Sequence, residues 1–282
     1  MIHKIISGFI LLSSMIFSQQ VNIHSPQNIK LFADYLFCEK DYLRAIDEYK
    51  NYLATSDNDT VSFKIALSFL QMGDYKNAID KFSDVDTKSM FYNSSKIEKL
   101  KALFLIRDSL SFYSEAEMLI NSGYEYANNV LKLKYSSFFF TSNLPAKNDI
   151  LVPFNSNEKI KVSDLYDWKQ NPPYKSELLA GILSTVIPGA GKIYTQNYGD
   201  GITAFILTGL FGYLAYTNFD HNHDFRAWTF TGLNAFFYAG NIYGSVASAQ
   251  IFNAKINFEF NEGVKLFLED NNYFTPGYDF CK

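Results

Sequence analysis

The sequence predicts an all-α protein in two parts: an N-terminal solenoid of helical repeats, then a transmembrane helical hairpin. Three observations carry that expectation. A nine-residue motif recurs at an offset of 33 positions in the first third of the chain. Two stretches of the second half, 201–219 and 227–254, contain no charged residue. The chain is also rich in core-forming side chains: 48% of its 282 residues are hydrophobic and 17% aromatic. That composition excludes wholesale disorder. With 15 Gly and 2 Cys, it also excludes collagen-like and disulfide-dense chains. A net charge of −4 supplies no basic field for nucleic acid, so none is expected as a partner.

Residues 1–18 read as a secretory signal. Lys4 follows the start, an apolar stretch runs from Ile5 to Phe17, and Ser18 precedes the polar pair Gln19-Gln20. Thirteen residues of helix span about 20 Å, short for a bilayer core. Export would place the following domain in an oxidising compartment. Cys38 and Cys281 could pair there, but unpaired thiols are the favoured reading, because spacing alone does not show a disulfide.

Residues 26–140 form the repeat region. Asp41-Tyr42-Leu43-Arg44-Ala45-Ile46-Asp47-Glu48-Tyr49 aligns with Asp74-Tyr75-Lys76-Asn77-Ala78-Ile79-Asp80-Lys81-Phe82, with five identities, and Ala33 aligns with Ala66. Ala33 and Ala66 are small where a first helix approaches its partner. Gly73 with Asp74 and Tyr75 turns the chain into a second helix, where Ala45 and Ala78 are small. Tyr49 and Phe82 fill the gap between neighbouring pairs. On these residues the region resembles the tetratricopeptide repeat, departing at Lys40 and in lacking a closing Pro. The resemblance implies a concave face that binds a protein or peptide partner, against the plainer alternative of a rigid spacer. A third unit is read as degenerate. Ala102–Asp108 is its first helix, Ser114–Ile120 its second, and an insertion lies near Ser109–Tyr113. Gly123-Tyr124 opens one more helix. Glu115 and Glu117 face different sides of theirs, as solvated carboxylates.

Residues 141–177 read as a connector broken by Pro145, Pro172 and Pro173, with Ile160-Lys161-Val162 as a short extended piece. Tyr166, Trp168 and Tyr174, among lysines, suit a membrane interface or, equally, a solvated linker with a few packed aromatics.

Residues 178–254 are expected in the membrane, against the competing reading of a soluble, aromatic-rich helical domain. The uncharged runs correspond to about 28 and 42 Å of helix, both able to span. Leu178–Gly191 is shorter and interrupted by Pro188, so it is either a short span or a re-entrant piece. Gly240, Gly244 and Ser248 give a small-residue helix-packing face with Asn241, through which homo-oligomers could form. Asn234, Asn241 and Gln250 should turn inward and hydrogen-bond across helices.

The segment Pro188-Gly189-Ala190-Gly191-Lys192-Ile193-Tyr194 looks like chemistry and is not. A phosphate loop needs glycine where Val186 stands and a hydroxyl where Ile193 stands. Its glycines suit a sharp, closely packed turn, and Asp200 is placed as N-cap of the next helix. On Pro188, Gly189, Gly191, Tyr194 and Gly201, with Asn241, Tyr243, Gly244 and Asn253 as later positions, residues 178–254 resemble bacterial membrane hairpins of the TM2-like type and related domains of unknown function. Those are often joined to tetratricopeptide repeats. The resemblance implies a membrane hairpin without catalytic activity.

Asp220-His221-Asn222-His223-Asp224 carries metal-ligand types but reads as an exposed loop. No nucleophile–base triad can be assembled, so no enzyme, metal or cofactor is expected. Residues 255–282 read as a tail packed on the membrane surface or on the repeats. The whole suggests a non-enzymatic bacterial inner-membrane protein whose exported repeats bind a protein partner. The alternative is an accessory to membrane-protein insertion or solute transport, acting through the polar hairpin residues.

Overall fold

The computed structural model describes residues 24–281. The expected signal, 1–18, lies outside them. Thirteen α-helices and two short 3-10 turns make up the described chain, with no strand among the described residues. Two compact units form. One holds the described residues up to Leu131 together with those from Phe274 onward; the other is Lys132–Tyr273.

The first unit contains α1 (Pro26–Cys38), α2 (Tyr42–Leu53), α3 (Asp59–Gln71), α4 (Tyr75–Ser83), α5 (Tyr92–Leu105) and α6 (Ser109–Asn121). Helix α7 (Ala127–Ser137) begins here and continues into the second unit. One turn closes each of the pairs α1/α2, α3/α4 and α5/α6. Lys40, Gly73 and Arg107 take left-handed φ values of 63°, 78° and 63°. The next amide, of Asp41, Asp74 or Asp108, donates back to the carbonyl of Leu36, Phe69 or Leu103. That same aspartate then caps the following helix by accepting from the backbone N–H of Arg44, Asn77 or Ser111. The third pair therefore repeats the same turn, at an offset of 34 residues where the first two differ by 33, and Ser109–Tyr113 lies within the continuous helix α6 with no insertion there. Its first helix starts at Tyr92, ten residues before Ala102. Two substitutions hide it: Arg107 replaces the turn glycine, and the small–large order Ala78/Phe82 becomes Phe112/Ala116. All four of these side chains are buried.

The buried residues form clusters of repeat-signature positions. Ala33, Ala45 and Tyr49 pack with Leu36, Ile46, Val61 and Ile65. Ala66, Ala78 and Phe82 pack with Phe63, Leu67, Leu70 and Ala102. Tyr42 and Tyr75 open α2 and α4, half-buried.

The last residues return to this unit as a strap. The Phe280 ring packs against Phe37, Phe63 and Phe91, and Tyr278 packs edge-on to Phe63. Lys64 lies over the Phe280 ring at 4.9 Å. A disulfide joins Cys281 to Cys38 at the end of α1. The favoured expectation of unpaired thiols is thus overturned, because the chain carries position 281 back to α1 across a separation of 243 residues.

The second unit contains α8 (Lys147–Leu151), α9 (Ser156–Gln170), α10 (Glu177–Val186), α11 (Ala190–Tyr194), α12 (Tyr198–Asp220) and α13 (Asp224–Asp270). The stretch expected to be extended, 160–162, is helical within α9. A capping box starts that helix: Asn155 accepts from the Glu158 amide, and the Glu158 side chain accepts from the Asn155 amide. Helix α13 has 47 residues, about 70 Å, and runs past 254 without a break. Its C-terminal half packs Phe260 against Phe139 and Trp168, and Phe267 against Phe154. Its N-terminal half packs on α10, α11 and α12. Phe219 meets Trp228 and Phe211 stacks on Phe237, so α12 and α13 run side by side in opposite directions. Asn197 precedes α12 as its N-cap, and Asp200 sits in the first turn, accepting from the Asn197 side chain at 2.9 Å. The expected capping role of Asp200 is corrected accordingly.

Among the described residues, α12 alone is long and apolar enough to cross a membrane, with a mean hydropathy of 1.3 in its most apolar stretch. Only 11% of that stretch is buried. The second uncharged run, 227–254, does not reach that hydropathy. It lacks charge, but Asn234, Asn241 and Gln250, with many Gly, Ser, Thr and Tyr residues, dilute its apolar content.

Candidate functional site

Pro188 follows the end of α10, and Gly189 takes φ 85°, reversing the chain into the single turn α11. The turn is too tight for side chains. A Cβ on Gly189 would lie 2.0 Å from the Gly201 carbonyl oxygen, and one on Gly191 would lie 1.9 Å from the Ala180 carbonyl oxygen. Both positions therefore require glycine, and Gly201 is the surface that Gly189 meets.

A ladder of neutral polar side chains on α13 faces this turn. Asn241, 4% exposed, accepts from the Gly189 amide at 3.1 Å. Ser245 shares a hydrogen bond with Ser184 at 2.7 Å, and Ser184 accepts from the Gly191 amide at 2.9 Å. Ser248 bonds Thr195 at 2.6 Å. Further along, Asn253 clasps Lys175, accepting from its amide at 2.7 Å and donating to its carbonyl at 2.9 Å. Gln250 donates to Glu177 at 2.8 Å, and the Tyr174 hydroxyl reaches Asn257. The spacing 241, 245, 248 recurs every three or four residues, so one helix face carries the ladder. Each rung supplies a partner to backbone or hydroxyl groups that a bent, apolar-surrounded segment would otherwise bury unpaired.

Most of the residues singled out in the sequence meet here. Gly189, Gly191, Gly201, Asn241 and Ser248 form one constellation. Tyr194 closes its edge, its hydroxyl accepting from the Ser176 amide at 3.2 Å while Lys175 lies over its ring. Gly244 faces the Lys192 side chain. Gly240 is exposed, and a Cβ there would touch nothing. The close-packing face is 241/245/248 instead of 240/244/248. Tyr243 points outward, exposed. Ser184, Ser245 and Thr195 were missed. Their signal was the Ser/Thr spacing around the glycine turn, which resembles ordinary helix-face polarity until the partner element is known.

Comparison with family models, curated proteins and solved structures finds no match for this chain.

The first unit has its own buried polar nodes. Asp34 accepts from Lys30, Lys64 and Tyr49 at 2.6 to 2.7 Å. Burial pushes its carboxyl up, but these three hydrogen bonds outweigh it and hold the pKa below the ordinary value. Glu98, 2% exposed, is raised by burial, with Lys101 pulling the other way. Lys101 is lowered, again by burial first. Thr275 and Tyr278 of the strap border Glu98. Glu115 is not solvated as expected but pairs with Lys99 at 3.2 Å, both largely buried.

No three His, Cys, Asp or Glu side chains converge among the described residues. His221 and His223 sit in the exposed turn between α12 and α13. The ladder itself is neutral. Its chemistry is hydrogen bonding, which suits a site that holds a backbone shape.

Proposed function

We propose that this chain is a non-enzymatic, membrane-anchored envelope protein. Its second unit sits in a bilayer with α12 as a span and α13 as its companion. Its first unit is a tetratricopeptide-like stack that docks a protein partner on the extracytoplasmic side of a bacterial inner membrane.

The observation that carries the reading is the uncovered state of α12. A helix of 23 residues is about 34 Å long, enough to cross a hydrocarbon core. The core helix of a soluble protein is covered by its fold, whereas Ile202, Phe205, Ile206, Leu210, Tyr213 and Tyr216 are exposed. Leu178, Ile182 and Val186 of α10 and Trp228, Phe236 and Ile251 of α13 are exposed as well. Lipid is the solvent that such a surface fits. The ladder of Asn241, Ser245 and Ser248 fits it too, because no water satisfies backbone groups in hydrocarbon. The disulfide supports an oxidising compartment for the first unit.

The strap bears on docking. Residues 274–281 cover parts of α1, α3 and α5, the first helix of each pair, so a partner meets the other side. In the same unit a groove of about 760 Å³ opens between α4, α5 and α6, lined by Lys76, Ile79, Leu103, Ile106 and Arg107. Crosslinking of the full chain in its native membrane tests this, with photoreactive residues placed at Ile106 and, as control, at Leu31. A discrete adduct from Ile106 supports docking. Adducts equal from both sites, or from neither, count for a passive spacer.

A further inference from the structure

Helices α11, α12 and α13 line an open cavity of about 310 Å³ that the hydrogen-bonded ladder leaves unexplained. Lys192 and Asp200 line it together, beside Thr208 and Asn241, with Phe236 and Phe237 as its apolar wall. The two charges do not pair with one another. Among the described residues Lys192 forms no ion pair, and Asp200 accepts only from the neutral Asn197 side chain. The lysine stem is led along α13 by a missing side chain, since a Cβ on Gly244 would lie 3.2 Å from Lys192 Cε. Thr208 is 8% exposed, and its hydroxyl has no hydrogen-bond partner. A buried hydroxyl without a partner costs stability, so it signals a group that the site expects.

The charges and the hydroxyl are ordered by depth. Asp200 stands in the first turn of α12, and Thr208 lies eight residues, about 12 Å, further in. The polar mouth therefore sits at the end of the apolar helix, with the aromatic wall towards its middle. We propose that this cavity holds the headgroup of a zwitterionic phospholipid bearing a primary ammonium. Its phosphate meets Lys192, its ammonium donates to Asp200, and an ester carbonyl accepts from Thr208. The acyl chains continue over Phe236, Phe237 and the exposed face of α12. A primary ammonium carries three N–H donors for the carboxylate, whereas a trimethylammonium carries none. A purely anionic headgroup leaves Asp200 unmatched and brings it a like charge. The inference rests on the reading of α12 as a bilayer helix, and it names one lipid class within that reading.

The test uses the full chain purified in detergent. Retained lipid is read by native mass spectrometry after mixing with phosphatidylethanolamine, phosphatidylcholine or phosphatidylglycerol of identical acyl chains. Phosphatidylethanolamine should be held about tenfold or more over the other two, the scale of one charge-assisted hydrogen bond. Lys192→Met and Asp200→Asn should each remove that preference, and Lys192→Arg should keep it. Thr208→Val, which alters neither charge nor the glycine turn, gives a second reading should a charge variant fail to fold. It should weaken retention several-fold for all ester lipids alike. Equal retention of the three lipids, or an unchanged preference in folded Lys192→Met and Asp200→Asn, overturns the proposal. So does equally tight binding of soluble glycerophosphoethanolamine, which would make the site one for a free zwitterion. Recovery of the chain from the aqueous fraction would instead overturn the membrane reading itself.

Discussion

Removing the strap's covalent tie gives the sharpest forecast for the first unit. Cys38→Ser with Cys281→Ser abolishes a crosslink between positions 243 residues apart. In the chain-entropy account, opening a loop of that length frees about 5 kcal/mol of denatured-state entropy, while native disulfides more often contribute about 2–4 kcal/mol. The lost bond also frees the end of a segment held by the Phe280 and Tyr278 rings against Phe37, Phe63 and Phe91, by Lys64 over the Phe280 ring, and by Thr275 and Tyr278 beside Glu98. Each aromatic pair adds about 1 kcal/mol beyond its buried area, too little to keep the strap seated at all times. Hydrogen–deuterium exchange on the full chain in detergent reads both effects. Residues 274–281 should exchange rapidly, and amides of α1, α3 and α5 should lose protection corresponding to at least about 2 kcal/mol. A reductant should reproduce the variant. Unchanged protection of α1 and of the strap would refute the reasoning, since the disulfide would then hold nothing that packing does not hold already.

Other outcomes follow from the second unit and the buried carboxylates. Gly191→Ala forces a Cβ to 1.9 Å from the Ala180 carbonyl oxygen, so the turn must open. The thermal midpoint in detergent should fall by an amount matching a loss of about 3 kcal/mol or more, and a wild-type midpoint would show the turn to be loose. Asn241→Leu leaves the Gly189 amide buried without its acceptor, a loss of about 1–3 kcal/mol. It should lower the amount of folded protein in membranes, and unaltered abundance with lost activity would favour a solute-path role instead. Burial raises the folded-state pKa of Glu98, so its contribution is greatest at pH below the ordinary carboxylate value and declines as pH rises through the raised one. Glu98→Gln should flatten that slope in urea midpoints measured against pH, and an identical slope would remove Glu98 as its source. Asp34 has the opposite sign: its lowered pKa gives stability above the ordinary value that disappears as pH falls through the lowered one, and Asp34→Asn should blunt acid unfolding of the first unit.

Local chemistry was legible, and long-range pairing was not. The 33-residue offset located two helix pairs because Asp41 and Asp74 cap the same turn and Ala45 and Ala78 fill the same gap. The third pair was legible only as a degenerate unit with wrong bounds, because its small and large residues exchange places at Phe112 and Ala116, which preserves summed volume while erasing the motif. Absence of charge marked both 201–219 and 227–254, but hydropathy separates them, since amides and hydroxyls carry no charge and still resist hydrocarbon. The glycine turn and the inward-facing Asn241 were each visible alone. Their union needed the crossing of α11 and α13, which fixes which carbonyls and amides lack partners. Packing of the tail on the repeats was one of two alternatives the sequence left open, but nothing local singled out α1 as the target of Phe280 and Cys281, since Cys281 lies 243 residues from Cys38.

Alkaline carbonate extraction of cell membranes addresses the central claim most directly, because it strips peripheral proteins and leaves bilayer-embedded ones in the pellet. The uncovered apolar surface of α12 predicts that the full chain stays with the lipid pellet and is released only by detergent. Release into the carbonate supernatant as a folded, monodisperse protein would contradict it.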